Sequence, residues 1–208
     1  MLLDFAVSAF LTLFVVVDPI AMAPTFLVVT EGMPRAARKS VAVRASILAG
    51  AILAATALGG ARLLDVLEIS LPAFRIAGGL LLFWIAAEMV FGVRSRHEGE
   101  AAEQAMEERV RNVAAFPLAI PLLAGPGAIT ATVLLAGRAD GNWVSVGTLI
   151  AVVAIVAICC LVSLLLAERI SGLLGMTGNI VLSRLLGVLL AALAVQYVVD
   201  GIRATLGA

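Results

Sequence analysis

The chain has 208 residues, 62% of them hydrophobic and 13% charged, with mean hydropathy +1.14 and a formal net charge of zero. A soluble domain is about half apolar and a quarter charged and must still cover itself with polar groups, so these proportions exclude a water-soluble globule. The charge balance points to no nucleic acid and no acidic partner, and the solvent that suits the chain is a lipid bilayer.

A hydrocarbon core about 30 Å thick takes roughly 20 apolar residues per helix. That criterion predicts six spans, near residues 2–29, 41–62, 70–92, 113–137, 144–167 and 180–203. The first run lacks the basic start of a signal peptide, carries Asp4 and is too long for one, so it reads as a retained helix. Residues 93–112 form the one long polar connection, predicted as a short surface helix with solvated charges and a solvated His97. The expected fold is all-α and polytopic. One transmembrane domain covers 1–208, with a three-helix repeat over 1–92, a linker over 93–112 and a second repeat over 113–208.

Lys and Arg set the orientation. Ten of the fourteen, running from Arg35 to Arg184, fall on one side of these spans; Arg62, Arg75, Arg138 and Arg203 fall on the other. The richer side, with the linker, is expected in the cytoplasm and both termini outside, as an even number of spans requires.

The halves share a pattern. Pro19 and Pro24 in the first span superpose on Pro121 and Pro126 in the fourth with a shift of 102 residues. Phe74 to Leu81 (FRIAGGLL) resembles Ser183 to Leu190 (SRLLGVLL), pairing Arg75 with Arg184 and Gly78 with Gly187. Three spans is an odd number, so the second half is expected upside down relative to the first. Interrupted helices at matching places of inverted repeats are a sequence pointer to a transporter binding site.

Proline removes a backbone donor and clashes with the preceding turn, so spans 1 and 4 should break. In lipid the freed groups cost several kcal/mol each unless protein or a wet cavity satisfies them, so the breaks should face inward. Asp18 before Pro19, and Gly125 before Pro126, resemble an N-cap followed by proline at the first helical position. Two half-helices restarting there would aim positive ends at a carboxylate. A central Asp18 would meet an ammonium group, Na⁺ or a proton, or would only cap its half-helix. A zwitterionic amino acid fits both ends of that site. Gly125 and Gly127 either let a ligand reach backbone or let helices pack closely. Thr25, Thr130 and Thr132 line the cavity or bond their own backbone. Glu88 carries protons or snorkels toward water. Arg75 and Arg184, expected in the first turns of their helices, oppose the dipole there. They are offset by carbonyls at the breaks, or they anchor the helix at the interface.

Asp18-Pro19-Ile20 through Pro24, Phe74 to Gly79, and above all Phe116 to Thr130 (FPLAIPLLAGPGAIT) resemble the MarC family of bacterial and archaeal inner-membrane proteins, over essentially the whole chain. That family includes SnatA-type neutral amino acid transporters and is related to LysE-like exporters. The resemblance implies six spans with inverted repeats and transport of small neutral amino acids. From the reading of the two breaks, the expected substrate contacts are Asp18, Pro19, Ile20, Pro24, Pro121, Gly125, Pro126, Gly127 and Thr130. The chain carries Ala21-Met22 where the family pattern has Gly-Asn.

The leading expectation is therefore a cation-coupled secondary transporter working by alternating access, with Asp18, Glu88, Arg75 and Arg184 as coupling or gating groups. No catalysis, metal or cofactor is expected beyond a coupling H⁺ or Na⁺, and a homo-oligomer stays open. One alternative is export of another small solute, a drug or a metal cation. Another is an intramembrane thiol carrier, disfavoured because prolines hold the places such carriers give to cysteine and Cys159 and Cys160 stand together in the fifth span.

Overall fold

The computed structural model describes residues 2–93, 114–139 and 142–207, and among these every regular element is helical. Helices α1 (Leu2–Val17) and α2 (Met22–Val29) meet at a bend of 44°. Then come α3 (Arg35–Val66) and α4 (Leu71–Phe91). A π-helical segment, Ala114–Leu123, leads into α5 (Pro126–Arg138), followed by α6 (Trp143–Leu165) and α7 (Ala167–Leu206). The polar linker expected at 93–112 lies, from residue 94 on, outside the described residues, and so does His97.

Local chemistry sets the boundaries. Ser70 caps α4 by accepting the Ala73 N–H at 3.3 Å, with a proline in the first turn, and left-handed Gly92 closes the other end. Asn142 caps α6 through the Val144 N–H at 2.9 Å. Pro34 at the N-cap starts α3 at Arg35, six residues before the predicted span, because the basic first turns extend beyond the apolar stretch. Gly175, at φ 60 and ψ −177, breaks α7, so its membrane-length part is Thr177–Leu206. Arg184 therefore sits about two turns inside that stretch, not in a first turn as expected.

Among the described residues, four helices are long and apolar enough to cross a bilayer: Arg35–Val66, Leu71–Phe91, Trp143–Leu165 and Thr177–Leu206. The bent α1–α2 pair makes a fifth if counted as one span. The predicted fourth span is divided into the ten-residue π-helical segment and the 13-residue α5, each too short to cross alone. Pro117 and Pro121 bring no N–H to the helical ladder, and the chain between them widens, the Ala124 N–H donating to the Ala119 carbonyl five residues back at 2.8 Å.

The broken elements occupy the middle of the bundle. Leu13, Val16 and Phe26 from α1–α2 are buried together with Leu123, Leu134, Leu149 and Tyr197. Leu3, Ile47, Trp84, Trp143 and Leu189 point outward, as lipid-facing side chains do. The most extensive packing joins α4 to α7, which run antiparallel. A Cβ on Gly79 would stand 2.8 Å from the Ala194 carbonyl oxygen, one on Gly201 2.9 Å from that of Pro72, and one on Gly187 3.1 Å from that of Ala86. Backbones approach this closely only where side chains are absent. Such small-residue seams hold helices together in lipid, which offers no hydrophobic drive between them.

Candidate functional site

The first break is built by Asp18. Its N–H donates to the Phe14 carbonyl at 2.9 Å, closing the last turn of α1, and its backbone is left-handed at φ 51. Glycine usually holds such a place; aspartate tolerates it because its short side chain bonds locally. Here Oδ1 accepts the Ala21 N–H at 3.3 Å, and the Asp18 carbonyl accepts the Met22 N–H at 3.3 Å. Asp18 thus ends α1 and begins α2. The restart comes at Met22, with Ala21 at the N-cap, rather than at Pro19 as expected. Pro19 and Ile20 form the turn between, and Pro24 is the third residue of α2, where no intrahelical acceptor waits for the N–H it lacks.

The second break follows expectation. Gly125 is the N-cap, extended at φ −76 and ψ 173, and Pro126 is the first helical residue of α5. The Gly125 carbonyl accepts the Ile129 N–H at 3.0 Å. With the prolines aligned, the first half restarts two residues earlier than the second. The 102-residue shift therefore matches the prolines but not the helix ends.

The two breaks meet. A Cβ on Gly127 would stand 3.2 Å from Cγ1 of Val16, 2.5 Å from Cδ1 of Ile85 and 3.7 Å from Cδ2 of Leu82. Of the two readings of Gly127, close helix packing is the one this crowding supports. The carbonyl end of α1, with the Asp18 carboxylate beside it, therefore lies next to the amide end of α5. The first is the negative pole of a helix and the second the positive pole, and Gly125 has no side chain to cap it. Asp18 is 1% exposed.

Other expected residues fall around this junction or away from it. Pro19, Gly127 and Thr130 are buried, Ile20, Pro24 and Gly125 half-buried, and Pro126 exposed. The side chain of Pro121 lies outside the described residues. Thr130 packs its methyl against Gly78 of α4, whereas Thr132 donates to the Ala128 carbonyl at 2.7 Å and so bonds its own backbone. The four groups expected to couple or gate do not gather at one place. Glu88 lies one turn inside the end of α4, where Oε1 accepts the Trp84 Nε1–H at 2.9 Å. Arg184 reaches the same end, with Nη2 3.8 Å from the point where a Cβ on Gly92 would stand. There a cation faces the carbonyl pole of α4, a favourable arrangement. Arg75 sits 13 residues before Glu88, about 20 Å away along the helix.

A second polar group was not anticipated. The Arg138 guanidinium lies 4.7 Å over the ring of Tyr197 and 3.6 Å from Asp200, which also accepts from Gln196 Nε2 at 2.7 Å. Gln196 and Asp200, four residues apart on a helix, were the sequence signal available for half of it. Tyr197 is 1% exposed, and its hydroxyl and that of Thr12 on α1 approach each other without reaching hydrogen-bond geometry. Cys159 is half-buried and Cys160 buried in α6, both as thiols.

A family model described as "MarC family integral membrane protein" matches residues 3–206. A UPF0056 membrane protein of Methanocaldococcus jannaschii is 39% identical over 208 residues, covering 98% of this chain and 98% of the relative. The UPF0056 membrane protein YvbG of Bacillus subtilis is 34% identical over 98% of this chain and 96% of its own. YhcE of Escherichia coli, also named a UPF0056 membrane protein, is 34% identical over 93% and 90%. No solved structure matches. From residue 3 to residue 206, the chain is a member of the MarC family of integral membrane proteins.

Proposed function

We propose that this protein is a secondary transporter of small neutral amino acids in the inner membrane, coupled to H⁺ or Na⁺, and not an enzyme. The observation that carries the reading is the contact of Val16 with Gly127, which sets opposite helix poles side by side at the core of a membrane bundle. A zwitterion presents an ammonium and a carboxylate together, one for each pole. Asp18 and the last carbonyls of α1 would receive the ammonium, and the amides of α5 behind Gly125 the carboxylate. The coupling cation would share the Asp18 end. No bound cofactor is needed.

The bundle is read as six spans in two inverted repeats, each broken pair counting as one. The α4–α7 seam supports this. The offset of 109 residues that relates Gly78 to Gly187 and Arg75 to Arg184 also relates Gly92 to Gly201. Gly201 lies against Ile76, the residue after Arg75, and Gly92 lies beside Arg184, so this pair of related glycines has neighbours from nearby places in the opposite repeat. The positive-inside count supports both termini outside and the 93–112 linker in the cytoplasm. In that orientation the Arg138–Tyr197–Asp200 group closes the outer end of the path, and opening it is half of alternating access.

The test is uptake of labelled glycine, alanine and serine into proteoliposomes, with and without imposed H⁺ and Na⁺ gradients. Gradient-dependent accumulation of at least one is expected. Accumulation of none, alongside transport of a cationic drug or a divalent metal by the same vesicles, would replace the amino acid reading.

A further inference from the structure

We infer that the cleft between the start of α3 and the junction of α6 with α7 binds the phosphate headgroup of an anionic phospholipid. The cleft, about 260 Å³, carries Arg35, Arg38 and Lys39 on one wall and Glu168 on the other, over a floor that includes Phe26 and Leu164. Arg35 and Lys39 are four residues apart on one face of α3, and both are exposed. Arg38 stands between them with its side chain 24% exposed. Its Nη1 donates to Glu168 Oε1 at 2.6 Å, while its Nε is buried without a hydrogen-bond partner among the described residues.

Three features select the ligand. Three cations against one carboxylate leave the wall positive, so an anion is preferred over a zwitterion. The N-terminal pole of α3, whose N-cap Pro34 makes no side-chain cap, adds to that field. Guanidinium donors match phosphate geometry, so the two arginines of the wall suit a phosphate oxygen. Glu168 holds Arg38 in place and lowers affinity at the same time.

The position of the cleft names the source of the phosphate. The apolar stretch of α3 begins beyond Arg44, and that of α6 ends at Leu165 and Leu166, just before Glu168 and Arg169. The cleft therefore stands where hydrocarbon gives way to headgroups. Its apolar floor accepts the glycerol end of an acyl chain beneath the charge, a pattern of basic pockets between membrane helices that hold anionic headgroups. A free phosphate would use the cations but leave the floor unfilled. This assignment is independent of what the protein transports.

The test uses the full chain purified in neutral detergent, with native mass spectrometry counting retained lipid and tryptophan fluorescence following thermal unfolding. Phosphatidylglycerol, phosphatidylcholine and inorganic phosphate are added in separate arms. Wild type should retain phosphatidylglycerol and unfold later with it, with no such effect from phosphatidylcholine or phosphate. Arg35→Gln with Lys39→Gln should weaken retention about 30-fold, the equivalent of about 1 kcal/mol for each cation removed. Arg35→Lys with Lys39→Arg should keep it. Arg169→Gln, which removes a nearby cation that does not line the cleft, should leave retention unchanged. Equal protection by phosphate alone would overturn the lipid assignment. Equal loss in Arg169→Gln, or undiminished retention in the Gln pair, would overturn the site.

Discussion

Val16 on α1 and Gly127 on α5 are separated by more than half the chain, yet Cγ1 of Val16 lies 3.2 Å from where a Cβ on Gly127 would stand. That approach brings the carbonyl end of one interrupted helix against the amide end of another. A side chain at residue 127 would have to push aside Cδ1 of Ile85, the end of its side chain, which would be 2.5 Å from the added carbon.

Gly127→Ala should therefore destabilise the protein by about 1–3 kcal/mol, the usual range for overpacking a tight core. Adding Ile85→Val removes the nearest methyl and should restore much of the loss. Unfolding midpoints in detergent for the two single variants and the double would measure the coupling. Additive effects would show that the crowding is relieved elsewhere.

Asp18→Asn keeps a residue that tolerates the left-handed backbone and an oxygen that accepts the Ala21 N–H. It should insert and fold while losing transport or its dependence on the coupling gradient. Asp18→Ala loses both local features and should cost about 1–2 kcal/mol more. Wild-type transport by the Asn variant would remove the carboxylate from the mechanism.

The hydroxyl of Tyr197 is buried without a hydrogen-bond partner among the described residues. Tyr197→Phe keeps the ring under Arg138 and removes that oxygen. It should leave stability unchanged or raise it by about 1 kcal/mol. Arg138→Gln loses the ring contact and the pairing with Asp200 together and should lower the unfolding midpoint. A large loss of stability in Tyr197→Phe would mean that the hydroxyl is bonded after all.

Replacing Cys159 and Cys160 with alanine should leave transport intact, because neither thiol lies at the junction of the breaks. The same background serves topology mapping. Ala37→Cys should react with an impermeant thiol reagent only from the cytoplasmic side, and Ala204→Cys only from outside. Labelling of both from one side would contradict the proposed even number of spans, and complete loss of transport in the alanine pair would revive a thiol role.

The residues by themselves determined the solvent, the rough positions of the long helices and the identity of the interrupted ones. Those follow from local chemistry: apolar runs long enough for a bilayer, and prolines that take donors out of a helical ladder. Gly125 followed by Pro126 announced the start of α5 for the same reason. Asp18 misled because its left-handed turn moves the restart to Met22, and a cap signal does not reveal which side of a turn the carboxylate serves. Only the tertiary structure decided that the breaks adjoin, that Arg184 faces the end of α4, and that Arg138 lies over Tyr197. Each of these joins residues far apart in the chain. In lipid their meeting is set by how closely small residues let helices approach, a property of two packed surfaces that no single segment carries.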